Sequence, residues 1–156
     1  PFPHRRSYVL AVVEGPPDPP AGIVDWPLAP DPGSRIRLKM VARRDGRGVP
    51  ALTRYKVARS SGGRALLEVT LGTGRQHQIR AHLSALGHPV VGDKIYGPDE
   101  AFFLEALAGR LTEEASRRLV LPRHALHAWK LRFRHPATNQ EMELQAPLPD
   151  DMAALV

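Results

Sequence analysis

The sequence predicts an α+β fold, a mixed and mainly antiparallel sheet flanked by helices. Two observations support this prediction. Short β-rich runs separated by turn residues fill the first half of the chain, and residues 52–58 and 64–71 read as an antiparallel pair joined across residues 60–63. Helical patterns begin only near residue 73 and give way to a second strand pair near the end, and such segregated elements are typical of an α+β domain.

The first half contains three further extended segments. Residues 8–13 form a short apolar β-run, and residues 22–28 form a brief extended piece between two proline-rich loops. Residues 35–43 alternate cationic with apolar side chains, a pattern that predicts a half-exposed strand with one basic face.

The central stretch, residues 71–89, predicts a strand end that runs into a short helix. Thr73 and Gln76 have the spacing of a capping box, and Gly87 followed by Pro89 predicts the end of the helix. At 100° per residue one stripe is apolar and the neighbouring face is polar. The apolar stripe holds Ile79, Leu83 and Leu86, and the polar face holds Gln76, His77, Arg80 and Ser84.

The second half predicts helices followed by strands. An extended piece at 89–91 and a Gly92-Asp93 turn precede helices at 99–110 and 112–119, the latter capped by Thr112. Strands at 124–134 and 141–146 pair across a turn at 136–139, and residues 150–156 form a terminal helix. At 156 residues without a visible linker, one domain is expected.

Positive charge is concentrated in one part of the chain. The net charge is +6, whereas residues 35–80 hold twelve Lys and Arg against only Asp45 and Glu68. Such a basic stretch is the electrostatic pattern of a nucleic-acid binder, and a coding bias toward arginine would explain it equally well. The absence of cysteine excludes disulfides and thiolate catalysis and fits a cytoplasmic protein. No apolar run is long enough to predict a membrane span.

Two motifs resemble the signature of a known family. Thr73-Gly-Arg-Gln-His-Gln-Ile-Arg80 and His88-Pro-Val-Val-Gly-Asp-Lys-Ile-Tyr-Gly97 resemble the signature of the RluA-type RNA pseudouridine synthases. The resemblance extends through residues 22–28, 51–55, 124–128, 135–136 and 146–152, and it is closest to members that modify large-subunit ribosomal RNA. It implies a pseudouridine synthase-like fold that needs no metal or cofactor.

The resemblance also implies roles for individual residues. Such enzymes use one essential Asp, a Tyr that stacks on the uracil and an Arg that pairs with the Asp. The Arg maps onto Arg80, the packing residue before it onto Ile79, and the Tyr onto Tyr8. Tyr8 lies one residue further from Gly15 than the family spacing, and such an offset reverses the side chain's face unless a β-bulge absorbs it.

The essential Asp has no counterpart in this sequence. The family carries it in a His-Arg-Leu-Asp stretch well before the Tyr, and this sequence holds no such stretch. We therefore interpret residues 1–156 as the C-terminal portion of a single catalytic domain, incomplete on its N-terminal side and inactive alone. Arg80 is then expected to pair with an Asp outside this chain, whereas Asp93 is expected only to form a Gly-Asp turn.

For several side chains the sequence leaves both a functional and a structural role open. Arg75, His77 and Gln78 are candidate RNA contacts, together with Ile79 as a substrate-binding residue, but the three polar ones could equally brace the loop. His77, His82 and His88 do not have the spacing of a metal site. Trp129 and Phe133 alternate on one strand face, and a core position fits them better than a base-stacking platform.

The leading hypothesis is isomerisation of uridine to pseudouridine in RNA, with ribosomal RNA as the partner. The intact protein is expected to be a cytoplasmic monomer that does not contact membranes. The alternative is a non-catalytic RNA-binding protein that kept the scaffold. A third possibility is a basic protein-interaction domain, which would show no salt-dependent affinity for RNA.

Overall fold

The computed structural model describes residues 6–156 and confirms the α+β class. One sheet has six strands in the order β2-β5-β6-β1-β7-β8, all pairing antiparallel, and a separate pair is formed by β3 and β4. The strands are β1 Arg6–Glu14, β2 Ala21–Val24, β3 Leu28–Pro30, β4 Met40–Ala42, β5 Thr53–Ser61, β6 Arg64–Leu71, β7 Leu126–Arg134 and β8 Glu141–Gln145. The helices are α1 Gln78–Ala85, α2 Ala101–Leu107, α3 Glu113–Leu119 and α4 Asp150–Ala153.

The core lies around the two central strands, because they are covered on both faces. Val12 of β1 and Leu67 of β6 are fully buried. Leu83 of α1 and Met152 of α4 join the same apolar cluster and are also fully buried. At ~25 cal/mol per Å² of apolar surface, burial of these side chains is the main stabilising contribution to the sheet.

Strand alternation separates two rows of side chains that matter for the site. Val9 lies opposite Val69, and Tyr8 lies opposite Thr70, so the two rows point to opposite faces of the sheet. Leu71 is two residues beyond Val69 and shares its face, which is the face that α1 covers. The β1–β7 pairing shifts register between Tyr8 and Val9, with Trp129 as the extra residue.

The predicted strand at 35–43 is wrong over most of its length. Only Met40–Ala42 is a strand, and the preceding residues form a loop in which the Lys39 amide donates to the Ile36 carbonyl. The loop is held in place because Glu100 accepts from the Ser34 hydroxyl and from Lys39 Nζ at 2.8 and 2.7 Å. The alternation of cationic and apolar residues therefore arises in a loop that buries Ile36, and not in a strand.

The predicted helix start at Thr73 is also wrong, because α1 begins five residues later. His77 occupies the N-cap position in a left-handed conformation, and its side chain makes no capping hydrogen bond. The Thr73 hydroxyl instead donates to Gln78 Oε1 at 2.8 Å. The apolar stripe was predicted correctly for Ile79 and Leu83, which are 8% and 0% exposed.

The later elements follow the predictions more closely. Thr112 caps α3 by accepting from the Ala115 amide at 3.1 Å, and β7 pairs with β8. The helix predicted at 99–110 is shorter, because Gly109 adopts a positive φ of 66° just after α2 ends. Trp129 is half-buried against the main apolar cluster, whereas Phe133 belongs to none of the apolar clusters of residues 6–156, so the predicted core position holds for Trp129 only.

The Gly92-Asp93 turn requires glycine at its first position. Gly92 has a φ of +74°, and a Cβ there would overlap the carbonyl oxygen of Arg123. We expect Gly92→Ala to destabilise the fold by more than the ~1–2 kcal/mol that a left-handed backbone costs an L-residue. Gly62→Ala is the matched control, since Gly62 also has positive φ but opens onto free space. Equal losses in urea denaturation of the two variants would contradict this.

Candidate functional site

A buried carboxylate organises the candidate site. Asp93 is fully buried, and its Oδ1 accepts from the amides of Ile95 and Tyr96 at 2.9 and 3.0 Å. Val91 precedes the Gly92-Asp93 turn, and its amide donates to the Val12 carbonyl of β1 at 2.9 Å. This hydrogen bond anchors the turn to the sheet, and the Asp93 side chain lies beneath α1. Backbone hydrogen bonds therefore hold the Asp93 carboxylate in place in addition to any side-chain contact.

Arg80 of α1 pairs with Asp93 in a two-point ion pair. Arg80 Nε donates to Oδ2 at 2.6 Å, and Nη2 donates to Oδ1 at 2.7 Å. Among residues 6–156 Arg80 Nη1 makes no hydrogen bond, and no buried polar side-chain atom of the described chain lacks a partner. Nη1 is therefore accessible, in agreement with the 13% exposure of the Arg80 side chain.

The ion pair keeps Asp93 ionised in spite of its burial. Burial alone would raise the pKa of Asp93, but the hydrogen bonds and charge of Arg80, with those of the Tyr96 and Ile95 amides, hold the pKa below its ordinary value. Because all of these partners surround a fully buried group, Asp93 cannot itself touch a substrate. Its contact with the accessible part of the site is through Arg80.

Tyr96 lies next to Arg80, and His77 lies next to Tyr96. The guanidinium carbon of Arg80 lies 5.0 Å from the centre of the Tyr96 ring. The Tyr96 hydroxyl lies 3.1 Å from His77 Nδ1 and accepts from the Met40 amide at 2.8 Å. Burial, followed by the positive charge of Arg80, lowers the pKa of His77, so the imidazole is neutral near pH 7.

Arg80 and His77 border a small open cavity of about 180 Å³. We call it the Arg80 cavity; its lining residues are Leu71, Arg75, His77, Gln78, Ile79, Arg80 and Leu126. Its apolar residues come from β6, α1 and β7, and its cations come from the entry and first turn of α1. An apolar floor beside fixed hydrogen-bond donors suits a planar heterocycle with oxygen substituents.

Gln78 braces the loop that precedes α1. Its side chain is 2% exposed, and Oε1 accepts from the Thr73 hydroxyl and from the Arg75 amide at 2.8 and 3.0 Å. Nε2 donates to the Leu52 carbonyl and to Thr53 Oγ1 at 2.9 and 3.0 Å. These contacts occupy the polar atoms of Gln78 and favour bracing over the direct RNA contact considered from the sequence.

Arg75 is exposed at the rim of the cavity. Its Nε donates to the Pro50 carbonyl at 3.2 Å, so one edge of the guanidinium is anchored to the loop before β5. Ile79 contributes to the floor from the buried stripe of α1. The structure therefore brings Arg75, His77, Gln78, Ile79 and Arg80 to one cavity.

Tyr8 is not brought to the Arg80 cavity. It lies on the sheet face opposite Leu71 and borders a second cavity of about 300 Å³, together with Trp129, Lys130 and Leu144. Lys130 Nζ lies 6.0 Å from the centre of the Tyr8 ring. A β-bulge in β1 would be needed to absorb the offset of Tyr8, but the bulge in this region occurs in β7, so it does not turn Tyr8 toward Arg80.

The expectation that Arg80 awaits a carboxylate from outside the chain needs correction. Asp93 already neutralises Arg80, so an external Asp would be a second partner at Nη1 rather than the only one. The sequence reading missed Asp93 and Tyr96 as parts of the site, although both stand in the second motif. The signal that could have found Asp93 was its position in a glycine turn directly after a buried β-run.

His82 and His88, the two other histidines considered for a metal site, have structural partners elsewhere in the fold. His82 is fully buried between Thr53 Oγ1 and the Trp26 carbonyl, both at 2.8 Å. His88 Nδ1 lies 3.2 Å from the Glu14 carbonyl.

None of the helices within residues 6–156 has the length and apolar character needed to cross a bilayer.

Comparison with known proteins gives consistent results. A family model described as RNA pseudouridylate synthase matches residues 3–85, just over half of the chain. The chain is 43% identical over 138 residues to the ribosomal large subunit pseudouridine synthase D of Nitrosomonas europaea, covering 86% of this chain and 36% of that protein. It is 37% identical over 161 residues to the chloroplastic RNA pseudouridine synthase 2 of Arabidopsis thaliana, covering 97% of this chain and 37% of that protein.

Two solved human structures share the fold. RNA pseudouridylate synthase domain containing 4 aligns with a TM-score of 0.66 and 30% identity, over 96% of this chain and 60% of that one. RNA pseudouridylate synthase domain containing 1 aligns with a TM-score of 0.68 and 25% identity, over 92% and 55%. The chain spans less than half the length of the curated relatives named here.

Proposed function

The chain belongs to the RNA pseudouridylate synthase family, and we propose that it isomerises uridine to pseudouridine in RNA with an Asp supplied from outside residues 6–156. The observation that carries this proposal is the Arg80 cavity, where an accessible guanidinium nitrogen borders an apolar floor. The reaction breaks the bond between N1 of uracil and C1′ of the ribose. A bond then forms between C5 and C1′, C5 loses its proton, and N1 gains one.

The chain's own residues supply binding and charge for this reaction. Leu71, Ile79 and Leu126 offer an apolar surface on which a uracil extruded from the RNA stack can turn without escaping. Because Asp93 already offsets the charge of Arg80, the Nη1 group acts on an incoming carboxylate by donating a hydrogen bond, which favours the ionised form of that acid. Asp93 holds Arg80 in position for that second contact.

Large-subunit ribosomal RNA is the proposed substrate. The proposal is supported by the similarity to the Nitrosomonas europaea protein, whose name refers to the large ribosomal subunit. The basic stretch supports an RNA partner, although Lys39, Arg43 and Arg47 pair with carboxylates of the chain. Arg35, Arg37 and Arg44 are exposed and suit phosphate contacts. We further propose a cytoplasmic monomer.

A non-catalytic RNA-binding role is the second candidate. Two observations favour it: Tyr8 faces away from the Arg80 cavity, and Arg80 already has a carboxylate partner. A protein of this kind would bind RNA with the same salt dependence and leave uridine unchanged.

The test is pseudouridine formation by the intact protein on a large-subunit ribosomal RNA transcript. The product can be detected by nucleoside chromatography and located by carbodiimide labelling followed by primer extension. We expect pseudouridine at a defined uridine, and none when the protein is heat-denatured. If the protein binds the transcript in a salt-dependent way but forms no pseudouridine, the enzymatic function is contradicted and the RNA-binding alternative is supported.

A further inference from the structure

We propose that Tyr96 is a positioning residue for both donors of the Arg80 cavity. Its ring supports the Arg80 guanidinium, and its hydroxyl holds His77 as the neutral Nε2–H tautomer, which donates to an oxygen of the bound nucleotide. Only the last step, from His77 to the nucleotide, rests on the proposed function. The positioning itself is a property of the free protein.

The hydrogen bonds of the Tyr96 hydroxyl fix the direction of its proton. The Met40 amide donates to this oxygen at 2.8 Å, so the amide proton occupies one lone pair. Among residues 6–156 the other neighbour within hydrogen-bonding distance is His77 Nδ1, at 3.1 Å. A buried hydroxyl needs an acceptor for its own proton, so Tyr96 donates to Nδ1, and Nε2 must carry the imidazole proton.

Burial supports this arrangement, because Tyr96 is 6% exposed. It raises the pKa of the Tyr96 hydroxyl to about 12, so the phenol keeps its proton at neutral pH. The His77 and Tyr96 rings meet edge-on at 87°, with centroids 5.6 Å apart. The groups whose charges act on His77 are Arg80, Asp93 and His124, and burial is the largest influence that keeps its imidazole neutral.

The Nε2 side of His77 is free to meet a ligand. Within the described part of the chain Nε2 makes no hydrogen bond, and no buried polar side-chain atom there is left unpaired. Nε2 is therefore accessible, and His77 is one of the residues that line the Arg80 cavity. A neutral Nε2–H suits a carbonyl or phosphate oxygen of a nucleotide.

The backbone of His77 supports a functional role. Its φ of 54° and ψ of 17° lie in the left-handed region, which costs a non-glycine residue about 1–2 kcal/mol. The strain is maintained because Gln78 braces the preceding loop and Gln76 Nε2 donates to the Leu38 carbonyl at 2.8 Å. The same conformation brings the imidazole to Tyr96.

Tyr96 acts on Arg80 through its ring. The guanidinium carbon lies 5.0 Å from the ring centre, a cation–π distance, while Nε and Nη2 donate to Asp93. The Tyr96 amide donates to Asp93 at 3.0 Å, so the turn that fixes the carboxylate also fixes the start of the aromatic side chain. Tyr96 thus contacts His77, Arg80 and Asp93.

The variant Tyr96→Phe separates the two contacts, because it removes the hydroxyl and keeps the ring. In the intact protein labelled with 15N-histidine, we expect wild-type His77 to show the Nε2–H tautomer at pH 7. In Tyr96→Phe the Nδ1 resonance should move to that of a nitrogen without a hydrogen bond, and the pKa of His77 should rise. The His77 signal is identified by its loss in His77→Gln.

Tyr55→Phe is the matched control. It removes a buried phenol hydroxyl that donates to the Pro19 carbonyl, so it should leave both the Nδ1 resonance and the pKa of His77 unchanged. An unchanged Nδ1 resonance in Tyr96→Phe would overturn the proposal. The wild-type spectrum decides even if Tyr96→Phe fails to fold, since an Nδ1–H tautomer of His77 would exclude donation from Tyr96.

A second arm tests the step from His77 to the nucleotide. With a ribosomal RNA transcript as probe, Tyr96→Phe should lower kcat/KM by about fivefold to tenfold, the scale of one neutral hydrogen bond. A changed tautomer signature with unchanged kcat/KM would overturn that step. If the wild type forms no pseudouridine, the proposed function fails, whereas the spectra still test the positioning.

Discussion

Arg80→Ala should reduce pseudouridine formation by at least about 10²-fold while RNA binding persists. The expected scale is that of removing one preorganised charged donor from an active site. Arg80 lines the cavity through a small accessible edge, whereas phosphate contacts are expected from exposed cations such as Arg35 and Arg37. The measurements are single-turnover pseudouridine formation and transcript affinity at fixed salt. Parallel loss of both would show that Arg80 serves binding or folding.

The Asp93 partner makes a second variant necessary. Arg80→Ala leaves a buried anion without its counter-ion, which commonly costs ~3–5 kcal/mol and would confuse lost chemistry with lost folding. Arg80→Lys keeps the positive charge beside Asp93 but removes the forked donors that would serve Asp93 and the proposed second carboxylate at once. We expect this variant to remain folded and to be nearly inactive. Full activity in Arg80→Lys would show that a point charge suffices.

Asp93→Ala should be the most destabilising single change at the site, costing about 3–5 kcal/mol in the free energy of unfolding. It strands the Arg80 guanidinium and leaves the Ile95 and Tyr96 amides without their acceptor. Asp45→Ala is the matched control: Asp45 is exposed and also accepts from two arginines, yet solvent screens its charge. Chemical denaturation of both variants checks this, and similar losses would contradict it.

The same carboxylate predicts a pH dependence of stability. The pKa of folded Asp93 lies below its unfolded value of ~3.9, so its ionisation stabilises the fold above that value and the contribution is lost as pH falls through the folded pKa. We expect wild-type stability to fall below about pH 4. In Asp93→Asn this acid-dependent loss should be smaller. Parallel pH profiles of the two proteins would show that Asp93 is not the titrating group.

Elements defined by local interactions could be predicted from the sequence. The β5–β6 hairpin, the Thr112 cap and the buried stripe with Ile79 and Leu83 depend on neighbouring residues or on helical periodicity. The start of α1 could not be predicted in this way. Gln78 reaches from the first turn to Leu52 and Thr53, more than twenty residues earlier in the chain, and these contacts replace the local Thr73–Gln76 cap.

The candidate site was predicted in part for the same reason. Arg75, His77, Ile79 and Arg80 lie on one short segment, and the structure places them around one cavity. Asp93 and Tyr96 belong to a different turn, and only the packing of that turn beneath α1 joins them to Arg80. The side of the sheet that Tyr8 faces depends on strand pairing, which a one-residue offset in sequence reverses.

The position of a second carboxylate tests the central claim most directly. A crystal structure of the intact protein bound to its RNA should show Asp93 on Nε and Nη2 of Arg80, as here. It should also show an Asp from outside residues 6–156 within hydrogen-bonding distance of Nη1, next to the flipped uridine. An Nη1 group that meets only solvent or phosphate in that complex would contradict the account.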